Sequence, residues 1–226
     1  MQKIDKRKNY YLMLDTETTN GLDNPIAYDI GFAIVDKSEN VYVSRSYVVK
    51  EMWDVHFDML QNAYYAEKLP NYTRELCLGI RKKEKLYNIR KEIQELYELY
   101  DVKAMVAHNA RFDNRALRNT QKFLTDGKYV TFLPYGLDVW DTLQMARDTI
   151  CKQKLYVKFC EENGYMTNQS VPQVRATAEI LYRYLTGDNE FQESHTGLED
   201  VLIEKAIFNR CLRQHKKMRK SIFGKC

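Results

Sequence analysis

The 226-residue sequence predicts an α/β fold, a mixed sheet covered by helices, from three observations. Three strand-like runs come first, joined by short polar turns. A long amphipathic stretch then carries the chain to a fourth strand-like run. Strand-like and helical stretches alternate from there on. With 44% hydrophobic and 29% charged residues the chain can bury a substantial core, and its length suits a single domain over 1–226. No internal repeat, low-complexity segment or interdomain linker divides it.

The elements follow in order. Residues 10–14 (YYLML), 26–36 (IAYDIGFAIVD) and 41–49 (VYVSRSYVV) read as strands, and the linking segments TTNGLDN and KSEN carry turn signals, so an antiparallel meander is expected. Residues 51–83, rich in Tyr and holding Trp53, read as a helical insertion beside the sheet, its aromatics suited more to packing than to base stacking. Leu86, Ile89, Ile93, Leu96, Tyr97 and Tyr100 recur at helical spacing over 84–100. This crossover lets the fourth strand, 102–108 (VKAMVAH), run parallel to the first. A helix is expected over 110–124, a fifth strand near 136–140 and a further helix from about Gly197, for a mixed five-stranded sheet in all.

Composition excludes several classes. No apolar run approaches the ~20 residues of a membrane span, and the N-terminal stretch is too short in apolar residues for a signal peptide. Five scattered cysteines without a CxxC suggest neither a disulfide framework nor a structural zinc site. A cytoplasmic location is expected. The net charge of +4 is uneven: 210–226 holds seven Lys and Arg and no acid, so the rest of the chain has 28 basic against 31 acidic residues. Such a tail reads equally as a nucleic-acid contact or as a solvated terminus.

Three places carry unusual carboxylates. In YYLMLDTETTNG, Asp15 and Glu17 stand two apart at the end of a strand and so project to one side, a pairing of like charges that a sheet avoids. In HNARFD, Asp113 falls in the first turn of a helix for which Asn109 is the expected N-cap. In SHTGLED, Thr196 and Glu199 have capping-box spacing, which puts Asp200 in the first helical turn and His195 in the loop before it. Strand ends and helix starts are where an α/β sheet gathers a ligand site. If the four carboxylates converge, each pair ~4 Å apart repels by roughly 4 kcal/mol at an effective dielectric near 20, and two divalent cations would supply the missing charge. Oxygen-only ligands select Mg²⁺ or Mn²⁺ over zinc.

DTET, HNARFD and HTGLED, in this order over about 9–209, resemble the three motifs of the DEDD exonuclease superfamily. That group includes the proofreading exonuclease subunit of bacterial DNA polymerase III, oligoribonuclease and RNase T. The resemblance implies a ribonuclease-H-like fold, two Mg²⁺ or Mn²⁺ ions held by Asp15, Glu17, Asp113 and Asp200, and removal of 5′-monophosphates from a 3′ end. His195 stands five residues before Asp200, as in the histidine branch, and Thr196 occupies the position where the other branch has Tyr. His195 is therefore the expected general base, its unperturbed pKa near ~6.5 suiting it to take the proton of the attacking water. Thr16, Thr18, Asn109 and Phe112 match positions that line the terminal-nucleotide pocket in relatives, although His108 and Phe112 serve equally well as core residues.

Gly197 stands where the superfamily usually has Ala, a change expected only to loosen the helix start. The substrate implied is DNA, single-stranded 3′ ends first, with RNA as the alternative. The resemblance to proofreading subunits implies a polymerase or replication protein as a partner, and, as no polymerase-binding segment is evident, a free-standing enzyme is the alternative. A non-catalytic nucleic-acid-binding protein is the reading from a different class. The complete set of four acids and one histidine argues against it.

Overall fold

The computed structural model describes residues 4–19, 21–193 and 195–223. Asn20 of the first turn, Ser194 of the third motif and 224–226 of the tail lie outside them.

Strand β1 (Tyr10–Thr19) continues past Leu14 through both carboxylates. It pairs antiparallel with β2 (Ile26–Asp36), which pairs antiparallel with β3 (Val41–Val49), the expected meander. Short helices α1 (Lys50–Val55), α2 (Phe57–Gln61) and α3 (Leu69–Cys77) form the insertion. It ends in β4 (Lys82–Glu84), parallel to β3. The sheet thus has six strands rather than five, because three consecutive charged residues give β4 no apolar periodicity to read. Helix α4 (Leu86–Tyr100) crosses to β5 (Ala104–Ala107), parallel to β1. Helix α5 (Ala110–Leu124) leads to β6 (Asp138–Asp141), parallel to β5. Then follow α6 (Thr142–Asp148), α7 (Lys154–Glu162), α8 (Ala178–Thr186) and α9 (Gly197–Arg213). The strand order is β4-β3-β2-β1-β5-β6.

Strand alternation sorts the core into two layers. Leu12, Leu14, Ile30, Phe32 and Ile34 face one side, where Met52, Leu60, Tyr72, Ile89, Ile93 and Leu117 cover them. Tyr11, Met13, Ala33 and Val35 face the other, under Met145, Tyr156, Leu181, Ile207 and Phe208. With both faces covered, β2 is buried along its whole length.

The basic tail is neither frayed nor wholly solvated where it is described. The Asp141 N–H donates to the Lys220 carbonyl at 2.8 Å and the Ile222 N–H to the Val139 carbonyl at 2.9 Å. Ile222 is buried, Arg219 makes a two-pronged ion pair with Asp148, and the Lys220 ammonium sits 4.8 Å from the centre of the Trp140 ring. The segment thereby closes the β6 edge, which would otherwise present unpaired backbone groups. Among the described residues no helix is long and apolar enough to cross a membrane.

Candidate functional site

Asp15 and Glu17 follow Tyr11 and Met13 on one face of β1, the face that α9 covers. Helix α9 is seated there by a backbone contact. Asp15 lies opposite Gly31 in the β1–β2 register, and a Cβ on Gly31 would stand 2.0 Å from the Gly197 carbonyl carbon. Only glycine at 31 admits the helix start so close, and Gly197 is one half of that contact rather than a loosened Ala. The first turn of α9 is thereby held beside Asp15, and Asp15, Glu17 and Asp200 offer carboxylate oxygens all within 4.8 Å of one another.

The N-terminus of α9 is capped across the sheet. Thr196 occupies the N-cap position without a side-chain cap bond, and its hydroxyl donates to Glu199 Oε2 instead. Asp29 on β2 accepts the Gly197 N–H at 3.0 Å and the Tyr72 hydroxyl at 2.7 Å. It is paired, fully buried, with Arg81 at 2.9 Å. Arg81 also bonds Glu75 and Ser46 and lies over the Tyr72 ring. The insertion is therefore tied through one buried network to the turn that carries the third motif.

Asp113, in the first turn of α5, lies close enough to act on the charge of Asp15, but it is not one of the three carboxylates within 4.8 Å and does not line the cleft. Its Oδ1 accepts the Thr16 N–H at 3.1 Å and the Thr16 hydroxyl at 2.9 Å, so Thr16 orients a carboxylate instead of facing the cleft. Asn109 adopts a left-handed conformation (φ 66°) and makes no side-chain cap bond. Its N–H donates to Asp141 Oδ1 at 3.0 Å, and its side chain lines the cleft. Thr18 and Phe112 are half-buried and do not line it. His108 is the core residue of the alternative reading, its Nδ1 2.9 Å from the Thr142 hydroxyl and its Nε2 2.8 Å from the Ala176 carbonyl, although its edge reaches the cleft.

Several site residues escaped the sequence reading. Glu204, buried one helical turn beyond Asp200, accepts the His108 N–H at 3.0 Å and joins the acidic group; its i, i+4 spacing from Asp200 was the available signal. Arg147 and Arg175 line the cleft, which measures about 500 Å³. Tyr65, from the insertion, stacks on His195 with ring centres 4.3 Å apart and planes within 13°. His195 itself sits at the cleft with φ 51°, a left-handed conformation uncommon for histidine, and its Nδ1 lies 4.0 Å from Glu193.

The electrostatics are those of crowded, dehydrated acids. Burial, then Asp113 and Glu204, hold Asp15 well above the usual carboxylate range. Burial, then Asp200, push Glu17 up to about 9, and burial pushes Asp113 up to about 7 against the bonds from Thr16. Glu204 is raised well above its usual value by burial and then by Asp113. His195 is lowered, by burial first and then by the Lys68 ammonium. An all-oxygen donor set this close, favouring protons when no cation is near, has the chemistry of a site for hard divalent ions.

No protein-family model matches the chain, and no curated protein matches it in sequence. Solved structures do match in fold. A 3′-exonuclease that recognises the 3′ end of the histone mRNA stem-loop superposes with a TM-score of 0.63 at 13% identity, over 94% of this chain and 85% of its own. E. coli exonuclease I in complex with a dA16 oligonucleotide superposes with a TM-score of 0.50 at 16% identity, over 92% of this chain and 41% of its own. S. pombe Pop2p, in its Mg²⁺- and Mn²⁺-bound form, gives 0.50 at 11% identity, over 93% and 85%. The shared architecture is the ribonuclease-H-like fold.

Proposed function

We propose that the protein is a divalent-metal-dependent 3′-to-5′ exonuclease of the histidine branch of the DEDD superfamily. The observation that carries this reading is the convergence of Asp15, Glu17 and Asp200 within 4.8 Å, with His195 lining the same cleft. Asp15, Glu17, Asp113 and Asp200 would hold two Mg²⁺ or Mn²⁺ ions. Such a pair, when bound, neutralises the scissile phosphate and stabilises the charge on the attacking and leaving oxygens.

The remaining roles belong to this chain's own groups. His195 takes the proton of the attacking water. Arg147 and Arg175, which line the same cleft, would pair with the phosphate. Thr16 keeps Asp113 aimed, and Tyr65 keeps the imidazole in place. Asn109 contacts the terminal nucleotide. The similar structures include one on an mRNA stem-loop and one on a DNA oligonucleotide. DNA with a single-stranded 3′ end is the first substrate to test and RNA the second.

The test is incubation with 3′-labelled single-stranded DNA, duplex DNA and RNA in Mg²⁺ or Mn²⁺. Labelled 5′-mononucleotide is expected as the first product, with none in EDTA. Asp15→Ala, Glu17→Ala, Asp113→Ala and Asp200→Ala should each abolish release and weaken Mn²⁺ binding by calorimetry. Label retained on all three substrates would defeat the reading. Full activity in EDTA would defeat the metal mechanism.

A further inference from the structure

We propose that the outer face of α5 is a second nucleic-acid contact, a groove that holds the phosphate backbone and an unstacked base of a single strand outside the catalytic cleft. This deepens the exonuclease reading and rests on it.

Arg111, Arg115, Arg118 and Lys122 recur at alternating four- and three-residue intervals and so share one face of α5. It is the face opposite Ala116, Leu117 and Thr120, which are buried against the sheet. The four cations line a groove of about 460 Å³ whose other wall includes Ile222 and Phe223 from the tail. No acidic residue lines it, and among the described residues none of the four cations has a carboxylate within 4.0 Å. On other helices the pattern is different: Lys50, Lys91, Lys152, Lys158 and Arg183 each pair with an acid four residues away. Helix α5 has traded such pairs for a single-sign row.

Two of the donors are held in place. Arg111 donates to the Ile222 carbonyl and Arg115 to the Leu22 carbonyl at 2.9 Å, so their guanidinium groups are oriented before any ligand arrives. Phe223 leaves 61% of its surface exposed beside these cations. A cationic row with an exposed aromatic ring at its side is the combination that grips single strands, phosphates on the charges and a base on the ring. From Arg111 to Lys122 the helix rises about 16 Å, the length over which one stacked strand presents roughly five phosphates. The row also starts at the right end. Asn109, which lines the cleft, immediately precedes α5, so a strand with its 3′ terminus in the cleft meets Arg111 before Lys122.

The test pairs binding with turnover, using the full chain. Arg118→Glu combined with Lys122→Glu reverses two exposed charges, and Phe223→Ala removes the ring. A fluorescent oligothymidylate of about twenty nucleotides, titrated in EDTA across a salt series, should bind the double variant on the order of tenfold more weakly, with a log–log salt slope shallower by about 1.4. Phe223→Ala should weaken binding about fivefold or more with the slope unchanged. In Mg²⁺ the double variant should show a raised KM and an unchanged kcat on the long strand, and wild-type kinetics on a dinucleotide. Wild-type affinity and slope in the double variant would overturn the groove while leaving the exonuclease reading standing. Polyglutamate that displaces the oligonucleotide equally well would reassign the groove to an acidic protein. Wild-type protein that neither binds nor cleaves the oligonucleotide would remove both readings together.

Discussion

In the proposed mechanism the chemistry turns on His195, and this residue is held by one far away in sequence. Its stacking on Tyr65 dehydrates one ring face, and burial with the Lys68 ammonium disfavours the imidazolium. A lowered pKa means that the neutral, proton-accepting form persists to lower pH. The rate should therefore rise with pH through an inflection below the ordinary histidine value. His195→Ala should slow hydrolysis by about 10² to 10⁴-fold, leave Mn²⁺ binding intact and erase that inflection. Tyr65→Phe, which keeps the ring, should retain the wild-type profile. Tyr65→Ala should lower kcat and move the inflection back up towards the ordinary value as water reaches the imidazole. Rates measured across pH for the three variants check this. An inflection unmoved in Tyr65→Ala would make Tyr65 a packing residue only.

At the scale of elements, the site depends on where α9 begins. The Gly31–Gly197 contact sets the helix against β2 at the register position of Asp15, and Asp29 takes the Gly197 N–H. A Cβ at 31 would meet backbone at 2.0 and 2.1 Å, whereas one at 197 would meet backbone at 2.6 Å. Neither neighbour is a flexible side-chain end, so the helix start must shift. Gly31→Ala should therefore cost more than Gly197→Ala, about 3 kcal/mol or more against about 1 to 2 kcal/mol. Because Asp200 moves with the helix, both variants should also lose Mn²⁺ affinity. Urea unfolding and Mn²⁺ calorimetry measure the two effects. A Gly31→Ala protein with wild-type midpoint and affinity would contradict the close approach.

For the whole molecule, the acidic centre links pH to stability. Glu17 and Asp113 titrate near 9 and 7 in the folded metal-free protein, against ordinary values near 4.5 and 3.8. Between those limits the folded state holds protons that the unfolded state has released. The contribution of these two groups is then fully present below about pH 4 and is lost as pH rises towards 9. In EDTA the Tm should fall from pH 5 to pH 9, and less steeply in Glu17→Gln, which cannot ionise. Mn²⁺ should raise the Tm more at high pH than at low, since it binds the ionised carboxylates. Scanning calorimetry of both proteins with and without Mn²⁺ checks the sign. A difference between them that does not change with pH would mean that Glu17 titrates in its ordinary range. The seated tail also bears on design at this scale: removing everything beyond His215 would strip Ile222 from the core and uncover the β6 edge.

What the sequence determined by itself was whatever has a local period or a local spacing. Apolar runs bounded by turn signals marked β1 to β3, the three-and-four spacing marked α4, and the placement of Asp15, Glu17 and Asp200 at a strand and a helix start marked the acidic centre, with Asp113 bonded to Thr16 beside it. Tertiary structure alone decided how these parts are held. Asp29 finds Arg81 across the insertion, Gly31 meets Gly197, Tyr65 covers His195, and the tail returns to pair with β6. Each of these contacts joins residues far apart in the chain and leaves no periodic trace in either partner. Charge pairing in a dry interior and the approach of two backbones depend on distance, and distance exists only once the chain has folded.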